Sequence, residues 1–309
     1  MNITFRQLRV FVEVARQGSM ARAAATLHLT PPAVSMQVKE IETQVGLQLF
    51  DRNGRSVRLS TAGEYFVVHA RRMLADLREA ENAMARFSGL EQGLLTIGML
   101  STAKYFVPRL LARFNADHPG IEVRLRVVGN REQLVQEMHA GEIDLSVMGR
   151  PPRELETRAE SFAAHPLVFI APPEHPLLAF ASVQAEQLQN FPFIVREPGS
   201  GTRTTLEAFF AEQRVVPRVS MEMSSNETIK QAVMAGLGLS FLSLHTVGLE
   251  LRSQLLALLP VAGTPVMRTW YAVHLQSKVQ SPAAEAFRAF LLAHGEAYLE
   301  SHDRVLLAR

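Results

Sequence analysis

Four short segments of this 309-residue chain bring hydroxyls, cations and glycines together in spacings suited to holding an anion. Ser101-Thr102-Ala103-Lys104 offers two hydroxyls, an ammonium and backbone donors, and Gly149-Arg150-Pro151-Pro152-Arg153 sets two guanidiniums in a proline-stiffened loop. Gly199-Ser200-Gly201-Thr202-Arg203 is a glycine-rich turn ahead of a helical pattern. Ser224-Ser225-Asn226-Glu227-Thr228 precedes another, with Lys230 one turn on, and Asn130 stands where a further helix starts. Free N–H groups at helix N-termini and guanidinium forks recognise carboxylate or phosphate. Plainer roles compete at several positions. Ser224 with Glu227 reads as a capping box. Ser101, Thr102 and Thr202 can cap helices, and Arg150 and Arg153 can form surface ion pairs. The glycines lack the spacing and the lysine of a P-loop, so nucleotide hydrolysis is not indicated.

A second chemistry, directed at a polyanion, is concentrated near the N-terminus. Residues 1–58 hold eight Lys/Arg against four Asp/Glu, which leaves a net −2 for the remainder of a chain whose total is +2. The candidates are Thr30, Pro31, Pro32, Ala33, Ser35, Gln37 and Lys39, followed by Arg52, Arg55 and Arg58. The elements around them decide their use. Thr4 caps a first helix with Leu8, Phe11, Val12 and Ala15 as its apolar face, and Gly18 ends it. An alanine-rich second helix runs from Met20 to about Leu27, and a third begins at Pro31-Pro32 with Val34, Val38, Ile41 and Val45 inward. Two helices joined by so short a turn form the motif whose second helix enters the major groove of DNA. Asn53-Gly54 between short extended runs predicts a hairpin, a wing whose arginines suit phosphate contact.

The residues Ala23-Ala24, Ala33-Val34-Ser35, Ile41-Glu42, Gly46, Leu49-Phe50-Asp51-Arg52 and Leu59-Ser60-Thr61-Ala62-Gly63 resemble the signature of LysR-type transcriptional regulators. Members of that family often carry glutamine, commonly facing the bases, where this chain has Pro31. Proline offers no side-chain hydrogen bond, so the resemblance implies a different readout there, such as apolar contact with a thymine methyl. Beyond the wing, Phe66, Ala70, Met73, Leu77, Ala80, Met84 and Phe87 follow a 4-3-4-3-4-3 spacing in a stretch free of proline. That spacing predicts one long helix with a coiled-coil seam, although a helix packed on its own domain gives the same pattern. Paired reading heads favour dimerisation, and the resemblance implies dimers joining into tetramers.

From Leu94 onward strands and helices alternate, predicting parallel sheets covered on both faces. The expected organisation is a winged helix-turn-helix at 1–60, a dimerisation helix at 61–88, one α/β lobe from 89–161 and 266–309, and a second from 162–265. Strands are expected at 94–99, 121–127, 145–148, 167–171, 193–195, 219–223, 239–242 and 266–275, with a last helix at 281–299. This fold class, α/β with two lobes, resembles the periplasmic-binding-protein-like effector domain of the LysR family. Ligands of open sheets bind beyond the strands' carboxyl ends. The four segments with Asn130 fall there, which makes Ser101, Thr102, Lys104, Asn130, Gly149, Arg150, Arg153, Gly201, Thr202, Arg203, Asn226, Glu227 and Thr228 the candidate effector site. Their wording is similar to the CbbR branch, activators of Calvin-cycle carbon-fixation operons, and implies a phosphorylated metabolite or NADPH as effector rather than a resident cofactor.

Other classes fit less well. The chain has no cysteine, which excludes disulfides, Fe–S clusters and cysteine nucleophiles. Its ten histidines show no zinc spacing, and no G-x-S-x-G elbow occurs, so neither a metal site nor an enzyme is expected. A solute-binding protein would call for a secretory signal, and none is visible at Met1–Arg6. The expected partners are promoter DNA, a small anion, other copies of the chain and RNA polymerase, in the cytoplasm and away from membranes.

Overall fold

The computed structural model describes residues 1–53, 56–87 and 93–307, in two compact units of which the first comprises mainly Met1–Ser88. That unit opens with α1 (Phe5–Gln17), α2 (Met20–Thr26) and α3 (Pro31–Val45). Each start is capped by a hydroxyl: Thr4 in a capping box with Gln7, Ser19 to the Arg22 N–H, and Thr30 to the Ala33 N–H. Gly18 and Gly46 end α1 and α3 at φ +59° and +76°, where a side chain would be strained. The buried face of α1 is Leu8, Val10, Phe11 and Val14, so Val12 and Ala15 of the expected face are only half-buried. Strands β1 (Phe50–Asn53) and β2 (Ser56–Leu59) pair antiparallel. Gly54 of the expected turn and Arg55 after it lie outside the described residues. The Glu42 carboxylate accepts the Leu49 and Phe50 N–H groups at 2.9 and 3.2 Å, which ties the hairpin to the end of α3.

Helix α4 (Thr61–Phe87) is continuous, but its expected seam serves two purposes. Phe66 and Ala70 pack into the three-helix core, Phe66 edge-on to Phe11 at 5.1 Å. Met73 and Met84 are exposed. The first part of the 4-3 pattern is therefore core of its own unit, because an amphipathic helix and a dimer seam share one periodicity.

The second unit contains β3 (Gly93–Leu100), a 3₁₀ turn at Ala103–Tyr105, α5 (Val107–Asp117), β4 (Ile121–Val128), α6 (Arg131–His139) and β5 (Leu145–Met148). After these come β6 (Thr157–Ala171), α7 (Ala185–Leu188), β7 (Pro192–Arg196), α8 (Gly201–Gln213), β8 (Arg218–Met223), α9 (Asn226–Met234), β9 (Leu239–Ser243) and α10 (Leu244–Arg252). The chain closes with β10 (Ala257–Leu258), β11 (Val266–Leu275) and α11 (Pro282–Leu307). Strand order is β4-β3-β5-β11-β6-β9-β7-β8. Within the β3–β5 and β7–β9 groups pairing is parallel, as expected. β6 and β11 run antiparallel to each other and to their neighbours, so these strands form one mixed sheet rather than purely parallel ones.

β6 is much longer than the expected 167–171. It pairs with β11 over Thr157–Leu167 and with β9 over Leu167–Ile170. Its alternation is visible in the cores: Leu167, Phe169 and Ala171 face α7 and α8, while Val168 and Ile170 face α9 and α10. On the other lobe, α5 and α11 cover one face and α6 the other. Helix α11 also runs past its expected end at 299, and Leu306 is buried beside Val247.

Gly63, in the first turn of α4, lies against the Leu49 carbonyl, and any Cβ there would run into that backbone oxygen. Gly63→Ala is therefore expected to destabilise the first unit by about 1–3 kcal/mol, because backbone cannot yield as a side-chain tip can. A urea denaturation midpoint equal to that of the parent would show that α4 tolerates the shift.

Candidate functional site

The site is built on the two crossover strands. His165 of β6 and Arg268 of β11 stand directly opposite each other in the antiparallel register. Trp270, two residues along β11, stacks on His165 with ring centroids 4.0 Å apart and planes at 17°. Phe106 meets Trp270 edge-on at 5.0 Å, and the indole Nε1–H donates to His245 Nδ1 at 3.2 Å. Such aromatic contacts add roughly 0.5–1.5 kcal/mol each beyond burial and hold the floor rigid.

Walls rise from the carboxyl ends of the parallel strands. Leu100 ends β3 and Ser101 and Thr102 follow it, while Gly129, Asn130 and Arg131 follow β4. Gly149 and Arg150 follow β5, and Arg196 with Glu197 ends β7. Gly199, Ser200, Gly201 and Thr202 open α8, and together these groups line an open pocket of about 70 Å³. Ser200 caps α8 by position but makes no side-chain capping bond, so the helix's first N–H groups stay available. Gly149 and Gly201 have a steric role. A Cβ on Gly201 would stand 3.0 Å from Arg268 Nη1, and one on Gly149 3.1 Å from His165 Nδ1.

The four arginines around the pocket are not equivalent. Arg131 forms a two-pronged bond to Glu154 at 2.6 and 3.0 Å, which holds that carboxyl down to about 2. Buried Arg196 grips Glu197 at 2.7 and 2.8 Å and donates to Asn226 Oδ1 at 2.7 Å. Arg268 donates to the Gly149 carbonyl at 2.8 Å, and burial followed by the nearby Arg150 lowers its affinity for a proton. Among the described residues neither Arg268 nor Arg150 has a carboxylate partner. Two uncompensated guanidiniums beside an uncapped helix N-terminus give the pocket a positive potential that an anion would neutralise.

Of the expected effector residues, Ser101, Thr102, Asn130, Gly149, Arg150, Gly201 and Thr202 line this pocket. The others do not. The Arg203 guanidinium turns to Glu207 at 2.8 Å, to Glu222 and to the Arg196 carbonyl at 3.0 Å. Lys104 is exposed above the Tyr105 ring, and Arg153 is exposed in its loop. Asn226 sits behind Arg196 and reaches Thr102 Oγ1 at 3.4 Å. Glu227 accepts from Tyr105 and pairs with Lys230 at 3.1 Å. Thr228 gives its N–H to Ser225, the residue that caps α9, so the expected Ser224–Glu227 capping box is not formed. Nor does Thr102 make a capping bond. A second cavity of about 240 Å³ lies beside Tyr105, Phe106 and Tyr298, but its buried cation, Lys230, is already held by Glu250 at 2.8 Å and the Thr246 carbonyl at 3.1 Å.

Sequence reasoning missed His165, Arg196, Arg268 and Trp270. Arg268 and the chain's one tryptophan stand two apart on a strand that was expected, hence on one face, and that was the available signal. His165 fell just before the expected start of β6.

On the first unit, Thr30, Pro31, Pro32 and Lys39 are exposed along the start and outer side of α3, with Ala33 and Ser35 half-buried beside them. Met36, 58% exposed in their midst, was not singled out from the sequence. Gln37 is half-buried like Ala33 and Ser35, with its Oε1 buried and unpartnered. Arg58 is exposed on β2, whereas Arg55 and the side chain of Arg52 lie outside the described residues. Among the described residues no helix is long and apolar enough to cross a membrane, and no cluster of His, Asp or Glu is arranged to hold a metal.

A capped helix-turn-helix with a wing, a long helix and a two-lobed domain closing on a cationic pocket define a ligand-responsive transcriptional regulator. Residues 5–64 match the bacterial regulatory helix-turn-helix family of lysR type, and residues 88–296 match the LysR substrate binding domain. The chain belongs to the LysR family of transcriptional regulators, not to a family of enzymes. It is 50% identical over 297 residues to the HTH-type transcriptional regulator CfxR of Cupriavidus necator, covering 96% of this chain and 93% of that one. It is 47% identical over 293 residues to the RuBisCO operon transcriptional regulator of Allochromatium vinosum, covering 95% and 97%. Among solved structures, the regulatory domain of Synechocystis CcmR in complex with 2-PG is 40% identical, with a TM-score of 0.62, covering 65% of this chain and 97% of that one.

The buried imidazole carries a stability consequence. Burial first, then His245 and Arg268, push His165 well below the ordinary value of 6.5. Below pH 6.5 the unfolded chain therefore binds more protons than the folded one, and stability falls as pH drops, with a slope approaching about 1.4 kcal/mol per pH unit for this group. Urea denaturation between pH 7.5 and 5.5 is expected to show a shallower acid-side loss in His165→Gln than in the parent. An identical slope would mean that His165 is not the group responsible.

Proposed function

We propose that this protein controls a carbon-fixation operon, binding promoter DNA through α3 and the wing and sensing a small phosphorylated acid in the pocket over β6 and β11. The single observation that carries the ligand class is the pair Arg150 and Arg268, charged groups without carboxylate partners among the described residues, beside the free N-terminus of α8. A doubly charged phosphoryl group matches such a set better than a neutral metabolite does. The names of the relatives support the operon, and the 2-PG complex of CcmR supports a small phosphorylated acid, with 2-phosphoglycolate as first candidate.

On the DNA side, Thr30, Pro31, Ala33, Ser35 and Met36 are placed to meet base edges, with Pro31 and Met36 suited to thymine methyls. Lys39 and Arg58 suit phosphates, and Arg52 and Arg55 join them in this reading. The exposed Met73 and Met84 of α4 provide the seam for a dimer that reads two half-sites, and dimers pair into a tetramer. Segments 1–60, 61–88, 89–161 with 266–309, and 162–265 then act as reading head, dimerisation helix and two effector lobes. Effector that binds one arrangement of the lobes more tightly shifts the dimers on DNA, changing its bend and the access of RNA polymerase in the cytoplasm.

Isothermal titration of the full-length protein with 2-phosphoglycolate tests the pocket. Arg268→Ala is expected to weaken binding at least about tenfold, the range of a lost charged hydrogen bond. Arg203→Ala, removed from the pocket by Glu207 and Glu222, is expected to leave it within about twofold. The opposite ranking would move the site to the far side of α8. Failure of 2-phosphoglycolate with tight binding of an unphosphorylated acid would assign the regulator to another pathway. In salt titrations of promoter binding, Lys39→Ala and Arg58→Ala should each reduce the slope of log K against log salt by about 1. An unaltered slope would take those residues off the phosphate backbone.

A further inference from the structure

Both ring nitrogens of His165 are buried and without a hydrogen-bond partner, in a side chain only 3% exposed that lines the pocket. A buried polar group left without a bond destabilises the fold, and native structures keep few of them. Trp270 covers one face of the ring at 4.0 Å, which leaves the in-plane nitrogens as the groups able to bond. Gly149 passes over Nδ1 with no side chain to shield it, and the facing glycine, Gly201, leaves room for Arg268 beside it. The position is thus a hydrogen-bonding group held ready in a cationic pocket, beyond the arginines and helix N-terminus already assigned to the ligand.

We infer that His165 is itself a ligand-contacting residue, neutral while the pocket is empty and protonated when a phosphoryl dianion occupies it. This rests on the phosphorylated-acid reading given above and adds the charge state for which the pocket selects. The charged and titratable groups acting on the ring are His245 from α10 and Arg268 from β11; Arg150, from the loop after β5, acts on Arg268, and Glu197, the carboxylate of the lining, is engaged by Arg196. Without ligand, burial first and then His245 and Arg268 disfavour the charged imidazole. A dianion within a few ångströms reverses the sign of the local potential, and the imidazolium then gains an ion pair and the face of Trp270. The proton comes from solvent, one per site at most, and is returned when ligand leaves. The pocket thereby discriminates doubly from singly charged anions by more than shape.

The test is calorimetry of the full-length protein with 2-phosphoglycolate between pH 7.0 and 8.5, where a phosphate monoester with a second pKa near 6 is already a dianion. Repeating each titration in two buffers of different ionisation enthalpy counts the protons. The expected result is uptake of about half a proton or more per ligand near neutral pH, falling as pH rises. In His165→Gln, which keeps a hydrogen-bonding group but cannot titrate, uptake should vanish while measurable binding persists. Wild-type binding with no proton uptake, or equal uptake in His165→Gln, overturns the role of His165 and leaves the pocket reading standing. If neither 2-phosphoglycolate nor inorganic phosphate binds the wild type, the pocket reading itself falls, and the inference with it.

Discussion

The antiparallel pairing of β6 with β11 is the constraint on which the rest of the second unit depends. These two strands are the long elements that join both parallel groups, through β11 to β5 and through β6 to β9. Every layer of helix in that unit is packed against a sheet they complete. Because register in a sheet is set residue by residue, the same pairing puts His165 opposite Arg268 and places Trp270 within stacking distance. A slip of one residue would send Arg268 to the other face and leave the floor of the pocket without a charge.

Electrostatics then divides one cluster of arginines into two kinds. Arg131 and Arg196 are matched by neighbouring carboxylates and act as structural fasteners. Arg268 and Arg150 are left unmatched by any described carboxylate, a state that is unfavourable for folding and useful for binding. The same logic explains why the larger cavity beside Tyr105 is less suited to an anion. Its volume is greater, but Lys230 is engaged by Glu227 and Glu250. Unmatched charge, rather than volume, marks the place where ligand can contribute what the protein lacks.

The first unit solves a different problem with few residues. A three-helix core this small has little apolar surface to bury, so caps and ties contribute a large share of its stability. Thr4, Ser19 and Thr30 satisfy helix starts, and Glu42 fastens the hairpin to α3 through two backbone N–H groups. Phe66 and Ala70 extend that core into α4, which makes the long helix part of the reading head before it is anything else.

Sequence alone determined the family, the winged helix-turn-helix and the alternation of strands and helices. Those features rest on local rules: hydroxyl caps, glycine at positive φ, periodicity of 3.6 or 2, and cations ahead of helix starts. It also placed seven residues on the pocket, because each follows a strand or opens a helix whose ends were legible. Tertiary structure alone decided which cations remain unmatched. Arg203 and Arg150 look equally suited in the sequence, yet Arg203 finds Glu222, nineteen residues on in the neighbouring strand β8, and Arg150 finds no described carboxylate. His165 and Arg268 are 103 positions apart and meet only through the register of β6 and β11. Pairing between distant strands depends on the whole sheet closing correctly, and no local spacing in the chain encodes it.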